Sequence, residues 1–162
     1  MKVLKEGELG FAKNSEKLKY PSVTSCLTFT CVVADGGKWG AHMSIKQSGK
    51  GLPHHVVLQT LRTEMSSAKA IAKVKHVLVV GALGYWTPQL KPRVGQQKAI
   101  TSQNRNETSK LLVSLLGLNH LDAGSIGDVP GATQFVFMNW DTGDVVVEDG
   151  SAAKDIGIEL PF

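Results

Sequence analysis

The chain has 162 residues, of which 42% are hydrophobic and 20% are charged. These proportions predict one globular domain with a sizeable core, and they exclude an intrinsically disordered chain. The formal net charge of +4 comes from scattered Lys and Arg residues, without the aromatic-interleaved basic motif of nucleic-acid binders. We therefore expect no nucleic acid among the partners, while an acidic protein partner suits such a surface.

No stretch of the chain is apolar over the length that a signal peptide or a membrane span requires. We expect a cytoplasmic protein or, as the alternative, an effector exported without a visible signal peptide. The two cysteines, Cys26 and Cys31, are five residues apart on one predicted strand. Their side chains then point to opposite faces, which disfavours a disulfide, and the C-x-x-C spacing of redox and zinc sites is missing. We expect two reduced thiols.

The predicted elements begin with extended chain over residues 2–13. An apolar, β-branched stretch then predicts a strand that carries both cysteines, and a Gly-rich turn leads into a second strand over residues 39–45. Residues 46–53 have the composition of a loop. The clearest helix covers residues 54–70, because apolar side chains recur there at spacings of three and four.

The second half of the chain starts with a buried strand over residues 74–82, rich in β-branched side chains. Residues 83–97 contain several Gly and Pro and predict a long loop. Its Tyr85 and Trp86 indicate either a protein-binding rim or a loop pinned to the core. A second helix is predicted over residues 106–116, and Gly117 is its stop signal.

The last predicted elements are a loop over residues 126–131 and a hairpin. The hairpin joins strands over residues 134–139 and 144–148 through an Asp-Thr-Gly turn. Strands at both ends of the chain around two main helices predict a single α+β domain with mixed or antiparallel sheets. We assign residues 1–150 to this domain and residues 151–162 to a C-terminal tail.

The pair formed by Cys26 and His42 is the most informative chemical feature. A hairpin of this size can place the two side chains together, and a thiol beside an imidazole is how proteins produce a thiolate nucleophile. In that case Cys26 has a pKa below that of a free thiol and is alkylated before Cys31. The alternative is a buried structural cysteine and an unrelated histidine.

The order of these motifs resembles the CheD family of chemoreceptor glutamine deamidases, which are related in fold and active site to the catalytic domain of the cytotoxic necrotizing factors. The resemblance covers about residues 1–148, and no single motif carries it. The matching segments, in order, are Thr24-Ser25-Cys26, Gly40-Ala41-His42, Val80-Gly81-Ala82, Arg105-Asn106 and residues 128–131 and 141–147.

The resemblance implies a cofactor-free and metal-free reaction in which Cys26 is the nucleophile, His42 is the base and a thioester is the intermediate. In the family a threonine six residues before the cysteine helps to orient the histidine, and here Tyr20 has that position. The orienting group is then either a backbone carbonyl near Tyr20, as in the toxin relatives, or the hydroxyl of Thr24. Backbone N–H groups around Ser25 and Cys26 are candidates for holding the oxyanion.

Three functions are consistent with this sequence. The first is a protein-glutamine deamidase that acts on chemoreceptors, as in chemotaxis, or on another protein partner with an exposed glutamine. The second is a toxin-like effector that uses the same chemistry on a foreign cell's protein. The third is a non-catalytic binding module of the same fold, in which a regulatory protein partner is bound and Cys26 is incidental.

Overall fold

The computed structural model describes residues 1–13, 15–23, 25–34, 36–45, 51–90, 105–130, 136–140 and 143–147. The predicted C-terminal tail, residues 151–162, lies outside the described residues. So does Thr24, one of the two candidates for orienting the histidine.

The described part of the chain contains nine strands and three α-helices. The strands are β1 Lys2–Val3, β2 Glu8–Ala12, β3 Leu18–Tyr20, β4 Leu27–Val33, β5 Lys38–Met43, β6 Val74–Gly81, β7 Ile126–Pro130, β8 Val136–Trp140 and β9 Gly143–Val147. The helices are α1 His54–Ser67, α2 Leu83–Leu90 and α3 Arg105–Leu115.

The strands form two sheets. The five-stranded sheet has the order β2-β5-β4-β6-β7, and its pairs are antiparallel except for β6 with β7. The four-stranded sheet has the order β1-β3-β9-β8. Its β1–β3 and β3–β9 pairs are parallel, and β8 with β9 is the predicted hairpin. The predicted α+β fold with mixed sheets is therefore confirmed.

Strand β4 separates two hydrophobic cores, because its successive side chains point to opposite faces of the sheet. Leu27, Phe29 and Cys31 pack with residues of all three helices. On the other face, Cys26 packs with residues of the four-stranded sheet, among them Tyr20. The five-stranded sheet is thus the middle of three layers, and the two cysteines lie on opposite faces as predicted.

Helices α1 and α3 agree with the two helices predicted from periodicity. The end of α3 shows why Gly117 is a good stop signal. Gly117 has a φ of +71°, and the N–H of Leu118 bonds the carbonyl of Val113 at 2.9 Å. This is the Schellman arrangement, in which a left-handed residue closes the helix and satisfies its last carbonyls. No helix among the described residues has the length and apolar character to cross a membrane.

The prediction of a loop over residues 83–97 is wrong for its first half, since α2 occupies Leu83–Leu90. Residues 91–97 lie outside the described residues. Pro88 weighed against a helix because proline cannot donate a backbone hydrogen bond. However, Leu83, Trp86 and Leu90 recur at spacings of three and four and are all buried, so tertiary packing outweighs the lost bond.

The loop predicted over residues 126–131 is also wrong, because β7 pairs in parallel with β6 over five residues. Gly127 and Pro130 favoured a loop. Yet β7 is the edge strand of its sheet, and proline is tolerated at the end of an edge strand. The extended structure of this segment depends on a parallel partner strand that is distant in sequence, and the local composition does not predict it.

Tyr20 ties the two sheets together. Its hydroxyl donates to the carbonyl of Phe29 at 3.0 Å and lies 2.7 Å from Thr30 Oγ1. Gly40 makes room for this hydroxyl, since a Cβ at position 40 would overlap it. Tyr20 is fully buried, so its hydroxyl is a structural link between β3 and β4.

We expect Tyr20→Phe to lower the free energy of unfolding by about 1–3 kcal/mol, because a buried carbonyl and hydroxyl lose their partner. Urea unfolding followed by circular dichroism measures this loss. Tyr85→Phe is the matched control, since Tyr85 is 39% exposed and should lose less than about 0.5 kcal/mol. Equal losses in the two variants would contradict the structural role of Tyr20.

Candidate active site

The pairing of β4 with β5 brings Cys26 and His42 to one face of the five-stranded sheet. Thr28 lies opposite His42 in this antiparallel ladder. Cys26 is two residues before Thr28 and points to the same face, so it is the diagonal cross-strand neighbour of His42. Such neighbours have Cα atoms about 7–8 Å apart, within reach of long or ring-bearing side chains. The ring of His42 also contacts that of Tyr20 at a centroid distance of 6.0 Å, which places it in the layer between the sheets.

A backbone carbonyl fixes the tautomer of His42. The ring Nδ1 lies 2.9 Å from the oxygen of Leu4, and a carbonyl can only accept, so Nδ1 carries the proton. The lone pair is then on Nε2, which has no hydrogen-bond partner among the described residues. His42 is fully buried, and this burial lowers its pKa below 6.5 despite the opposing hydrogen bond to Leu4. The resting imidazole is neutral and able to accept a proton.

The group that orients His42 is thus a backbone carbonyl, one of the two predicted kinds, and it belongs to Leu4. The N–H of Leu4 bonds the oxygen of Lys19 at 2.9 Å, which holds this carbonyl beside the strand that ends at Tyr20. The hydroxyl of Tyr20 itself is not available, because it bonds β4. The Tyr20 side chain is thus a link between the sheets, and the hydrogen bond that orients His42 comes from the neighbouring Leu4.

The segment that leads into Cys26 is held from the helical layer. Trp86 Nε1 donates to the oxygen of Ser25 at 2.9 Å, and the N–H of Ala82 lies 3.3 Å from the oxygen of Cys26. Gly81 has a φ of +144°, and a Cβ there would overlap the same Cys26 oxygen. The backbone of Ser25 and Cys26 is therefore fixed against the end of β6 and the start of α2.

Trp86 belongs to this site as a positioning residue, and sequence reasoning placed it in a loop. The 3–4 spacing of Leu83, Trp86 and Leu90 is the signal that would have identified it as a buried helical residue. Ser25 remains a predicted contributor to the oxyanion site, through its backbone N–H. The side chain of Ser25 is exposed.

Glu6 is the second site residue that sequence reasoning missed. The Cys26 thiol donates to Glu6 Oε1 at a distance of 3.4 Å. No local motif marks Glu6; it reaches the thiol because β2 pairs with β5 and the N–H of Gly7 bonds the oxygen of His42 at 2.7 Å. Only that tertiary pairing brings the N-terminal segment to the cysteine.

The prediction that Cys26 has a lowered pKa is wrong for this arrangement. Cys26 is 1% exposed, and burial together with the negative charge of Glu6 raises the pKa of its thiol from 9.0 to about 12. A hydrogen bond from Ser44 acts in the opposite direction and is outweighed. At rest the site holds a neutral thiol and a neutral imidazole on the same face of the five-stranded sheet, with the Glu6 carboxylate on the thiol.

Metal binding finds no support in the part of the chain that the structure describes, where no three His, Cys, Asp or Glu side chains are grouped as ligands. No protein-family model matches the chain, and no curated protein matches it at a significant level.

The rate at which iodoacetamide alkylates Cys26 in the folded protein should keep rising with pH up to at least about pH 10, because the thiolate fraction grows until the pKa is reached. Peptide mass spectrometry after timed quenching gives the rate at Cys26 and Cys31 separately. The protein unfolded in urea is the control, and its rate should level off near the pKa of an ordinary thiol, about 8.5. A plateau below about pH 9 in the folded protein would contradict the raised pKa.

The depressed pKa of His42 links stability to pH. In the unfolded chain His42 takes up a proton at about pH 6.5, whereas in the folded protein it takes up the proton only at a lower pH. The free energy of unfolding therefore decreases as the pH falls below about 6.5. We expect a slope of up to about 1.4 kcal/mol per pH unit between about pH 6 and 5. His42→Asn should flatten this slope and His55→Asn, which removes an exposed histidine, should not. Part of the slope remains in the variant, because the pKa of His76 is lowered as well.

Parallel slopes in the wild type and His42→Asn would show that His42 accepts its proton as readily in the folded state as in the unfolded state. Urea titrations at each pH supply the free energies of unfolding for all three proteins.

Proposed function

We propose that this protein is a cysteine-dependent amidohydrolase that converts exposed glutamine side chains of a protein partner to glutamate. The observation that carries the proposal is the imidazole of His42, whose Nδ1 is fixed by the Leu4 carbonyl and whose Nε2 lone pair is buried on the face that carries Cys26. A neutral, oriented imidazole beside a thiol is the arrangement that cysteine nucleophiles require.

The reaction needs proton transfers at His42 Nε2 in both of its stages, the formation of the thioester and its hydrolysis. The thiol of Cys26 gives its proton to Nε2 as its sulfur attacks the carboxamide carbon, and the C–N bond then breaks. Nε2 returns the proton to the departing nitrogen, so that ammonia leaves and a thioester remains. A water molecule, deprotonated by Nε2, hydrolyses the thioester to glutamate and restores the thiol. The sum is amide plus water giving carboxylate plus ammonium.

The hydrogen bond to Leu4 supports each of these steps. When Nε2 accepts a proton, the imidazole becomes a cation, and the Leu4 carbonyl at Nδ1 stabilises it by its partial negative charge. Glu6 and Glu8 both favour the protonated ring electrostatically. Burial keeps the ring neutral at rest, and the hydrogen bond to Leu4 lowers the cost of charging it during the reaction.

Glutamine in a protein is the proposed substrate because of the resemblance to the CheD family, and the reaction class itself follows from the Cys–His pair. Under the same proposal the substrate is a chemoreceptor or another protein of the same cell, or, for an effector, a protein of a foreign cell. The chemistry at Cys26 is identical in these cases, since substrate choice in such enzymes lies in surface loops.

A non-catalytic binding module is the second candidate, and one observation favours it. Cys26 and His42 are both buried, and the thiol has a raised pKa. A buried, protonated cysteine with these properties is also what a purely structural residue has. The two candidates differ in whether Cys26 is needed for a chemical reaction.

Cys26→Ser and His42→Ala should each lower the rate of ammonia release by at least about 1,000-fold, and the double variant should lose little more, because the two residues act as one unit. The assay uses casein, a blocked Gln-Gly peptide and the cytoplasmic part of a chemoreceptor as substrates. Hydrolysis is confirmed by a gain in mass of about one dalton per site, the difference between an acid and its amide.

Cys31→Ala is the control, because Cys31 lies on the opposite face of β4 and should leave the rate within about threefold of the wild type. Activity that survives Cys26→Ser would exclude Cys26 as the nucleophile. Absence of ammonia release from all three substrates would favour the binding module.

A further inference from the structure

The carboxylate of Glu6 occupies the space that a substrate would need. Its Oε1 lies 3.4 Å from Cys26 Sγ, and the thiol is otherwise enclosed, at 1% exposure. For the sulfur to attack, a carboxamide carbon must come to about 3–3.5 Å from Sγ. The carboxylate of Glu6 and an incoming carboxamide therefore compete for one position.

The chemistry of that position is informative. The proposed reaction turns a glutamine side chain into a glutamate side chain, and the group now on the thiol is a glutamate side chain. A carboxylate has the same planar shape and nearly the same size as a carboxamide. Glu6 is thus equivalent to the product of the reaction, held in place by the chain itself.

The hydrogen bonds that hold the base do not involve the side chain of Glu6. On its N-terminal side Leu4 is fixed by its bonds to Lys19 and His42. On the C-terminal side of Glu6, the N–H of Gly7 donates to the backbone oxygen of His42. The carbonyl of Gly7 accepts from the N–H of Leu52 at 3.2 Å. The side chain of Glu6 itself is half-buried and so borders solvent, while the backbone on both sides of it is anchored.

We propose that Glu6 marks the subsite for the carboxamide of the substrate glutamine and closes it in the resting protein as an intramolecular product mimic. This inference rests on the proposed function. Binding of a protein substrate displaces the Glu6 side chain, which exposes the sulfur and removes a negative charge that, in addition to burial, keeps the thiol protonated. Free small amides enter slowly, because they lack the contacts that drive this displacement.

The first experiment measures alkylation of Cys26 by iodoacetamide in the folded protein and needs no enzyme activity. Glu6→Ala removes both the occupant and its charge, so the rate at Cys26 should rise by about tenfold, as for a fall of about one unit in the thiol pKa. Cys31 in the same molecules reports on the fold, and its rate should not change. Glu64→Ala is the matched control, because Glu64 is exposed on α1, on the helical side of the five-stranded sheet and away from the thiol.

An unchanged or slower reaction of Cys26 in Glu6→Ala would overturn the proposal, and a slower one would identify Glu6 as the base for the thiol. If Cys31 also becomes reactive in Glu6→Ala, the packing of that variant has loosened. The alkylation rate of Cys26 in Glu6→Asp is then the test of the subsite. Aspartate keeps the charge but withdraws the carboxylate by one methylene, so a several-fold faster Cys26 with an unreactive Cys31 supports the subsite, and a wild-type rate overturns it.

The second experiment uses the chain as its own substrate. Glu6→Gln places a carboxamide on Cys26, and the proposed chemistry should hydrolyse it to glutamate with a gain in mass of about one dalton at residue 6. The same substitution in a Cys26→Ser background should stay unchanged. Conversion supports both the subsite and the reaction. A rise in Cys26 alkylation in Glu6→Ala without conversion of Glu6→Gln retains the subsite and counts against the deamidase.

Discussion

The antiparallel pairing of β4 with β5 is the constraint on which the site depends. Its register sets Thr28 opposite His42 and so puts Cys26 on the diagonal, on the face that meets the four-stranded sheet. A shift by one residue would turn every side chain of one strand to the other face. Cys26 would then point into the helical core where Cys31 now lies. Because both faces of β4 are buried, such a shift would also misplace both cores, which makes the register well determined.

The electrostatics of the site oppose its proposed chemistry at rest and favour it once the thiol proton moves. A buried thiol and a nearby carboxylate raise the pKa of Cys26, and burial lowers the pKa of His42. In the proposed reaction, transfer of one proton from sulfur to Nε2 creates a thiolate and an imidazolium, and opposite charges attract strongly where water is excluded. Glu6 adds to the effect of burial and destabilises the thiolate while its carboxylate remains on the sulfur.

Sequence reasoning predicted the parts of this structure that depend on local periodicity. Strand β6, helix α1, helix α3 and the β8–β9 hairpin were identified with end errors of a few residues. Where it was wrong, partners distant in sequence decided the outcome. Strand β7 exists because β6 lies beside it, and α2 forms because Trp86 is buried. The same limit applies to the site: the Cys26–His42 pair follows from one hairpin, whereas Glu6 joins it only through the pairing of β2 with β5.

The two halves of the site are anchored to different layers of the molecule. His42 is held from the N-terminal segment by the carbonyl of Leu4, and Cys26 is held from the helical layer through the bond between Trp86 and Ser25. The end of β6 secures the second half further, since Gly81 allows the Cys26 carbonyl to approach its backbone. Both backbones are therefore held by hydrogen bonds. Under the proposed function, access to the sulfur then depends on a side chain that can rotate, and the half-buried Glu6 is in direct contact with the thiol.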